Sequence, residues 1–406
     1  MTITPIVDYA QAEHVINFYG AKYGQTYTIA DAKVLKSLSG GDGAYTLYTL
    51  EPYGYAILLN ETYSLMEACY VEGATAPIDV NSGEAIYYGG PVSFFTKSGD
   101  TYTDVSGEYS VTAAELDLEN SAEASVRANE VARLESKAKT SGQASVLSTN
   151  ATVETFSVMN VYFSNLTEFG TNFRGTCTVL ATAILLGFYD YYYCDHYVDS
   201  RYESGNGTNQ TFHYYLCNYV YGTSLPENGA IKIRDTANQI NTYLDDQSVS
   251  VDFEYEYISD DDGVDDVTEP IIAKLTAEKP VVASTYLIQG VVPAHTWVIY
   301  SVSYDPSDKT GTAVYTAHRG WHGTDETEAA GFRAEELNCE WVYEYGYIEC
   351  EHKVDGYYYH SACKPFSYFS IAHCSSYCEC GAFMLEHHEP DADGYCEHCG
   401  SYIEDE

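Results

Sequence analysis

Short segments with two-residue alternation dominate the first hundred residues. The segments AYTLYTLE, GYAILLN, YSLMEACYVEG and AIYYGGPVSFFTK alternate apolar and polar residues or carry β-branched and aromatic runs, with Gly, Pro and Asn between them. Ahead of them, Ala10, Val15, Ile16 and Phe18 have the spacing of a short helix over residues 8 to about 23. We predict a small α+β module with an antiparallel sheet over residues 1 to about 110.

Strong helix formers follow this module. The segment TAAELDLENSAEASVRANEVARLESKAKTSG ends in Ser-Gly and is followed by the polar stretch QASVLSTNAT. We predict a helix and then an exposed linker, so that the first domain covers residues 1–150.

The middle of the chain changes pattern. The segment GTCTVLATAILLGFYDYYY is apolar on all sides and predicts a buried helix, whereas KPVVASTYLI, HTWVIYSVSYD and TAVYTAHRGWHG all predict strands. A helix followed by a sheet indicates a second α+β domain over residues 151–347. A third region, residues 348–406, holds seven of the twelve cysteines.

Charge excludes some classes of partner. The chain has 60 Asp and Glu against 19 Lys and Arg, for a formal net charge of -41, which argues against nucleic acid or an anionic membrane as partner. The longest apolar run, in CTVLATAILLGFY, is shorter than the roughly 18 residues of a membrane helix, so no membrane span is expected. The acidic, Tyr-rich and Lys-poor composition favours a secreted or cell-surface protein, and we expect that an export signal has been trimmed from this sequence.

Cys177 is the first candidate for chemistry. It stands at the start of the apolar helix, where the main-chain N–H groups and the helix dipole stabilise a thiolate. Gly175 lets the chain turn closely into the helix, and the N–H of Cys177 is then available to an oxyanion. Such a cysteine is also common as a small buried apolar residue, so its context has to decide.

That context is a histidine on a later strand. His295 begins the segment HTWVIYSVSYD, and His318 and Trp321 follow in TAHRGWHG. Cysteine on a helix, histidine on a strand and a polar residue followed by Trp is the chain order of papain-like thiol peptidases. GTCTVLATA, AHTWVIYSVSYD and TAHRGWHG resemble the nucleophile helix, the general-base strand and the Asn-Trp-Gly-Trp-Gly-Gly turn of the streptopain-like family, over about residues 153–335.

The resemblance implies a papain-like catalytic domain, with a nucleophile helix packed on an antiparallel sheet, and it implies roles for five residues. Cys177 would be the nucleophile and His295 its base, acting on a peptide or protein substrate without a cofactor. His318 occupies the place of the family's Asn or Asp, which orients the imidazole, and Trp321 matches the aromatic residue that shields this contact. The family's oxyanion-hole Gln has no counterpart, and Asn172 is the suitable donor one residue away.

The resemblance also gives the first domain a meaning. GYAILLNETYSLMEACYVEG and AIYYGGPVSFF resemble the propeptides of the same peptidases, which lie across the active-site cleft until they are removed. Residues 1–150 would then inhibit the enzyme within the same chain, with cleavage within about residues 140–153. An ordinary binding or structural domain is the alternative.

The tail carries two cysteine half-sites, each followed by Gly. Cys378 and Cys380 form the first, Cys396 and Cys399 form the second, and His388 stands between them. This pattern resembles the Cys/His-rich tails of some secreted proteins of Gram-positive bacteria and predicts one structural Zn²⁺. Disulfides are the alternative, because the total number of cysteines is even.

The sequence therefore predicts the proform of a secreted cysteine peptidase. Its rivals are a catalytically inactive papain-like scaffold that acts as a binding protein, which the substituted His318 and the missing Gln favour, and thiol acyl transfer to an amine, since transglutaminase-like folds share the order of Cys and His.

Overall fold

The computed structural model describes most of the first two predicted domains and the backbone of three strands in the tail. The described residues are 8–38, 44–105, 110–112, 153–158, 162–163, 175–192, 196–203, 210–222, 229–249, 251–258, 267–286, 293–320, 334–349, 357–359, 373–377 and 383–387. The predicted helix after residue 112 and the cleavage linker lie almost wholly outside them.

The chain folds as a mixed α+β protein with a large, mostly antiparallel sheet and several helices, which confirms the predicted class. It divides into two compact units. The first combines Met1–Met159 with Glu256–Tyr345, and the second combines Asn160–Tyr255 with Gly346–Glu406. Among the described residues, no helix has the length and apolar character that crossing a membrane requires.

The first unit begins with the predicted helix, α1 (Tyr9–Gly20), which continues as a short 3-10 turn over Ala21–Tyr23. The Asp8 carboxylate caps it by accepting hydrogen bonds from the N–H groups of Ala10 and Gln11. Its apolar side chains lie against one face of the sheet, because they recur at helical spacing.

The four segments predicted as strands in the N-terminal part form β2 (Tyr45–Glu51), β3 (Tyr55–Leu59), β4 (Leu65–Cys69), β5 (Tyr87–Gly90) and β6 (Ser93–Ser98). Three more strands lie outside those segments: β1 (Thr28–Ser37), β7 (Thr101–Asp104) and β8 (Ser110–Thr112). Their order is β4-β3-β2-β1-β5-β6-β7-β8, and every adjacent pair is antiparallel except β1 and β5.

The three strands predicted around the two histidines also form: β11 (Val281–Tyr286), β12 (Pro293–Tyr304) and β13 (Val314–His318). Four strands outside the predicted segments are β9 (Glu154–Ser157), β10 (Asp252–Tyr257), β14 (Ala334–Asn338) and β15 (Val342–Glu349). The helix α5 (Thr268–Thr276) precedes β11, and the single turn α6 (Lys309–Thr312) joins β12 to β13. The antiparallel order is β11-β12-β13-β14, and β9 pairs with β12.

The N-terminal strands join this sheet through β4 and β14. Only two residue pairs connect these strands, Glu336 with Ala68 and Leu337 with Glu67. Side-chain donors of β14 and the following turn extend the contact, because Asn338 Nδ2 donates to the Leu65 carbonyl at 2.8 Å and Trp341 Nε1 donates to the Met66 carbonyl at 3.2 Å. The first unit is therefore one continuous sheet with a short junction.

A buried ion pair crosses the α1 side of this junction. Lys22 Nζ lies 2.9 Å from Glu336 Oε2; the lysine side chain is 17% exposed, and the glutamate is fully buried. Lys22 also donates to Thr316 Oγ1 and Ser303 Oγ, and the Tyr23 hydroxyl donates to Glu336. These contacts fix the end of α1 on strands β12, β13 and β14.

The second unit contains three helices: α2 (Cys177–Tyr192), α3 (Gln210–Tyr221) and α4 (Ile233–Asp246). The predicted apolar helix is α2, which is buried along almost its whole length. Gly346 gives this unit a close contact, since a Cβ there would lie 2.4 Å from Phe253 Cζ and 2.8 Å from Ile233 Cγ2. In the tail, β16 (Tyr357–Tyr359), β17 (His373–Tyr377) and β18 (Phe383–His387) form an antiparallel sheet with β18 in the middle.

Replacing Lys22 with Met should lower the free energy of unfolding by about 3 kcal/mol, because it leaves the buried Glu336 carboxylate without its cation. Urea unfolding followed by circular dichroism measures this loss. Lys97→Met is the matched control, since Lys97 is an exposed lysine bonded to the Tyr102 hydroxyl, and it should change stability far less. Equal losses in the two variants would show that the Lys22 ion pair contributes nothing special.

Candidate functional site

The first element of the site is the start of α2. Gly175 has a φ of 74°, in the left-handed region that favours glycine, and Cys177 is the first residue of the helix. The Cys177 Sγ lies 3.8 Å from the Gly175 carbonyl, and the residue is 8% exposed. Thr178 Oγ1 donates to the Ile231 carbonyl at 2.7 Å, which fixes this turn of the helix.

A histidine of α3, His213, interacts with the main chain directly before α2. His213 is fully buried, and burial lowers the pKa of its imidazole to about 4 against an opposing effect of the Thr176 main chain. Cys217 follows one turn later, and burial raises the pKa of its thiol to about 12. Sequence reasoning missed this pair, although the spacing of four in HYYLC places both on one face of α3.

The second element is His295 on β12. Its Nε2 lies 2.8 Å from the main-chain carbonyl of Arg319. A carbonyl only accepts, so Nε2 carries the proton and Nδ1 is the basic nitrogen of the neutral ring. Trp297 packs edge-on against the imidazole, with 4.8 Å between ring centroids, and its Nε1 donates to Thr285 Oγ1 at 3.2 Å.

Trp297 is a shielding aromatic that sequence reasoning missed. The signal was the two-residue spacing in HTW, which puts both side chains on one face of a strand. The predicted shield, Trp321, lies outside the described residues.

His318 lies on the opposite face of the sheet from His295. It pairs with Val298, and Val298 is an odd number of residues from His295 on the same strand. Its Nδ1 accepts a hydrogen bond at 3.0 Å from the N–H of Gly320, which has a φ of 91°. His295 Nε2 therefore donates to the main-chain carbonyl of Arg319, the residue that follows His318.

A cluster of buried carboxylates lies beside Arg319. Its guanidinium forms an ion pair with Glu335, at 2.5 Å between Nη2 and Oε1, and both side chains are largely buried. Glu67 of β4 interacts electrostatically with both groups and accepts hydrogen bonds from the Tyr55 and Tyr88 hydroxyls at 2.7 and 3.0 Å. This cluster contains residues from both sides of the β4–β14 junction.

Burial dominates the electrostatics of both His295 and Glu67. It lowers the pKa of His295 to about 3; the hydrogen bond to the Arg319 carbonyl opposes this shift, and the Arg319 guanidinium adds to it. Burial and, after it, the Glu335 carboxylate raise the pKa of Glu67 to about 7 against the hydrogen bonds that Glu67 accepts. At neutral pH the imidazole is uncharged.

The predicted site residues are divided between the two units, and several of them lie outside the described residues. Cys177 belongs to the second unit, and His295 and His318 belong to the first. Asn172 lies outside the described residues, as do the predicted zinc ligands Cys378, Cys380, His388, Cys396 and Cys399. Within the part of the chain that is described, no group of three or more His, Cys, Asp or Glu residues is placed to hold a metal ion.

Comparison with known proteins adds no family. No family model matches this chain, and no curated protein matches it. A function has to be argued from its own residues.

The imidazole of His295 should stay neutral in the full-length protein until the pH falls to about 3. Its folded pKa is lower than the value of about 6.5 in the unfolded chain. The unfolded chain therefore takes up the proton first, and the free energy of unfolding decreases as the pH falls from about 6.5 toward 3. NMR titration of ring-labelled histidine measures the pKa directly. A midpoint near 6.5 would mean that water reaches the ring.

Glu67 should have the opposite effect on stability. Its folded pKa of about 7 is above the ordinary value of 4.5, so the folded state holds this proton more tightly and stability falls as the pH rises from about 4.5 to 7. Glu67→Gln removes this contribution, so the variant should gain stability relative to the wild type over that interval. Urea unfolding at pH 4.5 and 7.5 checks it, and a constant difference between the two proteins would contradict it.

Proposed function

We propose that this chain is the latent proform of a cysteine peptidase, with Cys177 as nucleophile and His295 as general base. One observation carries the proposal: the Nε2–H of His295 is held by a main-chain carbonyl, which leaves Nδ1 as the basic nitrogen. An imidazole fixed in one tautomer is what a thiol nucleophile requires of its base.

In the proposed reaction His295 acts as base and then as acid, first in acylation and again in hydrolysis of the thioester. Nδ1 of His295 takes the proton of the Cys177 thiol, and the thiolate attacks the carbonyl carbon of a peptide bond. The imidazolium then gives its Nδ1 proton to the departing amine, which leaves a thioester on Cys177. Water, deprotonated by the same imidazole, hydrolyses the thioester and restores the thiol.

The start of α2 supplies the main-chain groups that stabilise the thiolate and the oxyanion. The left-handed Gly175 turns the chain into the helix immediately before Cys177. Main-chain N–H groups at a helix N-terminus stabilise both a thiolate and the oxyanion of the tetrahedral intermediate. Asn172 remains the proposed side-chain donor to that oxyanion.

The orienting role that the family resemblance gives to His318 is better filled by the Arg319 carbonyl. The imidazole already donates its Nε2–H there, and alternation along β12 puts His318 on the other face of the sheet. A carbonyl orients the ring as an amide oxygen would, but it carries no full charge to stabilise the imidazolium.

Two features support latency. The N-terminal part is fixed to the strands around His295 by the β4–β14 pairing and by the buried Lys22–Glu336 ion pair. In this state burial also holds His295 neutral, and a base with a pKa of about 3 does not retain a proton at neutral pH. Removal of the N-terminal part would then activate the enzyme by letting water and substrate reach the ring.

The same burial is the observation that favours the second candidate, an inactive scaffold that binds a protein or peptide. A fully buried, uncharged His295 is also what a structural histidine looks like. The two candidates differ in whether Cys177 reacts.

For the tail we keep the proposal of one structural Zn²⁺, with disulfides as the alternative, and intact mass with and without a chelator distinguishes them.

The full-length protein, incubated with a reductant, should be cleaved within about residues 140–153, slowly while His295 is buried and faster once molecules that have lost the N-terminal part accumulate. Cys177→Ala and His295→Ala should each slow this cleavage by about 10³-fold or more, because each removes half of the thiol–imidazole pair. Mass spectrometry of the fragments over time gives both the site and the rate.

Cys217→Ala is the matched control, since Cys217 is also a buried helical thiol, and it should be processed at the wild-type rate. Cleavage of the Cys177→Ala protein at the wild-type rate would rule out Cys177 as nucleophile. After removal of the N-terminal part, iodoacetamide labelling of Cys177 no faster than of Cys217 would favour the inactive scaffold, and incorporation of an added amine would favour acyl transfer.

A further inference from the structure

One face of the sheet carries a row of polar residues from His295 to the N-terminal part. His295 and Trp297 share a face of β12, and Arg319, one residue beyond β13, follows the face that Ala317 shares with Glu335. Leu337 pairs with Glu67 across the junction, and Glu335 is two residues from Leu337, so Glu335 and Glu67 are diagonal neighbours on that same face.

Arg319 makes contacts through both its main chain and its side chain. Its carbonyl accepts the Nε2–H of His295, and its guanidinium pairs with the buried Glu335. The described part of the β13–β14 register ends with His318 opposite Ala334, directly before Arg319. The ion pair links the Arg319 side chain to β14 at this position.

We propose that Glu335 is a positioning residue for the His295 base, acting through the side chain and carbonyl of Arg319, and that Glu67 brings the N-terminal part into the same cluster. This inference rests on the proposed function. The Arg319–Glu335 ion pair then affects the base as well as stability, because the placement of the Arg319 carbonyl selects the tautomer of the imidazole.

The charges around Arg319 are consistent with this role. The guanidinium lowers the pKa of His295, and Glu335 is its first electrostatic partner, ahead of Tyr55, Glu67 and Cys69. Glu67 faces the Tyr55 and Tyr88 hydroxyls and the Val92 N–H, so its hydrogen bonds belong largely to the N-terminal part. Without Glu335, Arg319 would turn toward Glu67, and its carbonyl would lose its fixed position.

The experiment is NMR of the full-length chain with ¹⁵N-labelled histidine, which distinguishes a proton on Nε2 from one on Nδ1. The wild type should show His295 protonated on Nε2. Glu335→Gln should give a mixture of both tautomers, and Glu335→Asp should restore the Nε2 form in part because it restores the charge. The rate of Cys177 alkylation after processing should fall by about 10- to 100-fold in Glu335→Gln.

Glu336→Gln is the matched control. Glu336 is the adjacent buried carboxylate, and it faces Lys22 on the opposite side of the sheet. It should lower stability while leaving the His295 tautomer unchanged. If Glu335→Gln also lowers only stability and leaves the tautomer as in the wild type, Glu335 is structural and the proposal fails.

Two further results keep the test decisive. If Glu335→Gln does not fold, Arg319→Lys keeps the charge but loses the planar fork; it should mix the tautomers, and a wild-type tautomer in that variant overturns the proposal. If Glu335→Gln changes the tautomer while Cys177 of the wild type proves unreactive, Glu335 positions His295 and the peptidase function is wrong.

Discussion

Two adjacent carboxylates on β14 are buried beside the junction at which the N-terminal strands join the sheet, and burial obliges each to have a cation. Glu335 and Glu336 are both buried, and because neighbouring residues of a strand point to opposite faces, each needs its own cation on its own side. Arg319 meets the first and Lys22 the second. The Lys22 pair adds to the two residue pairs between β4 and β14 and to the hydrogen bonds from Asn338 and Trp341, whereas the Arg319 pair lies within the β13–β14 side.

The two ion pairs have different consequences. The Lys22 pair ties the end of α1 to a face that otherwise packs apolar side chains, so its effect is on the stability of the junction. The Arg319 pair lies on the face of His295, and the same residue carries the carbonyl that holds the imidazole. The proposed latent state would therefore be built from ordinary buried electrostatics on a shared sheet.

Local patterns predicted the elements well, because helix and strand periodicity is written into consecutive residues. The helix at residues 9–20, strands β2 to β6 and the apolar helix that starts at Cys177 follow their predicted segments, whereas β1, β7 and β8 had none. The site was only partly accessible in this way. Trp297 had a readable two-residue spacing from His295, whereas the acceptor of the imidazole proton is a main-chain carbonyl, which every residue type supplies and no motif marks.

The sequence by itself determined the class of fold, the positions of Cys177 and His295 at the starts of a helix and a strand segment, and the repulsion between this acidic chain and polyanions. The tertiary structure decided that His318 and His295 lie on opposite faces, and that Glu67 and Glu335 lie beside one arginine. Pairing between distant strands sets those contacts, and register depends on the burial of whole faces, which no single segment contains.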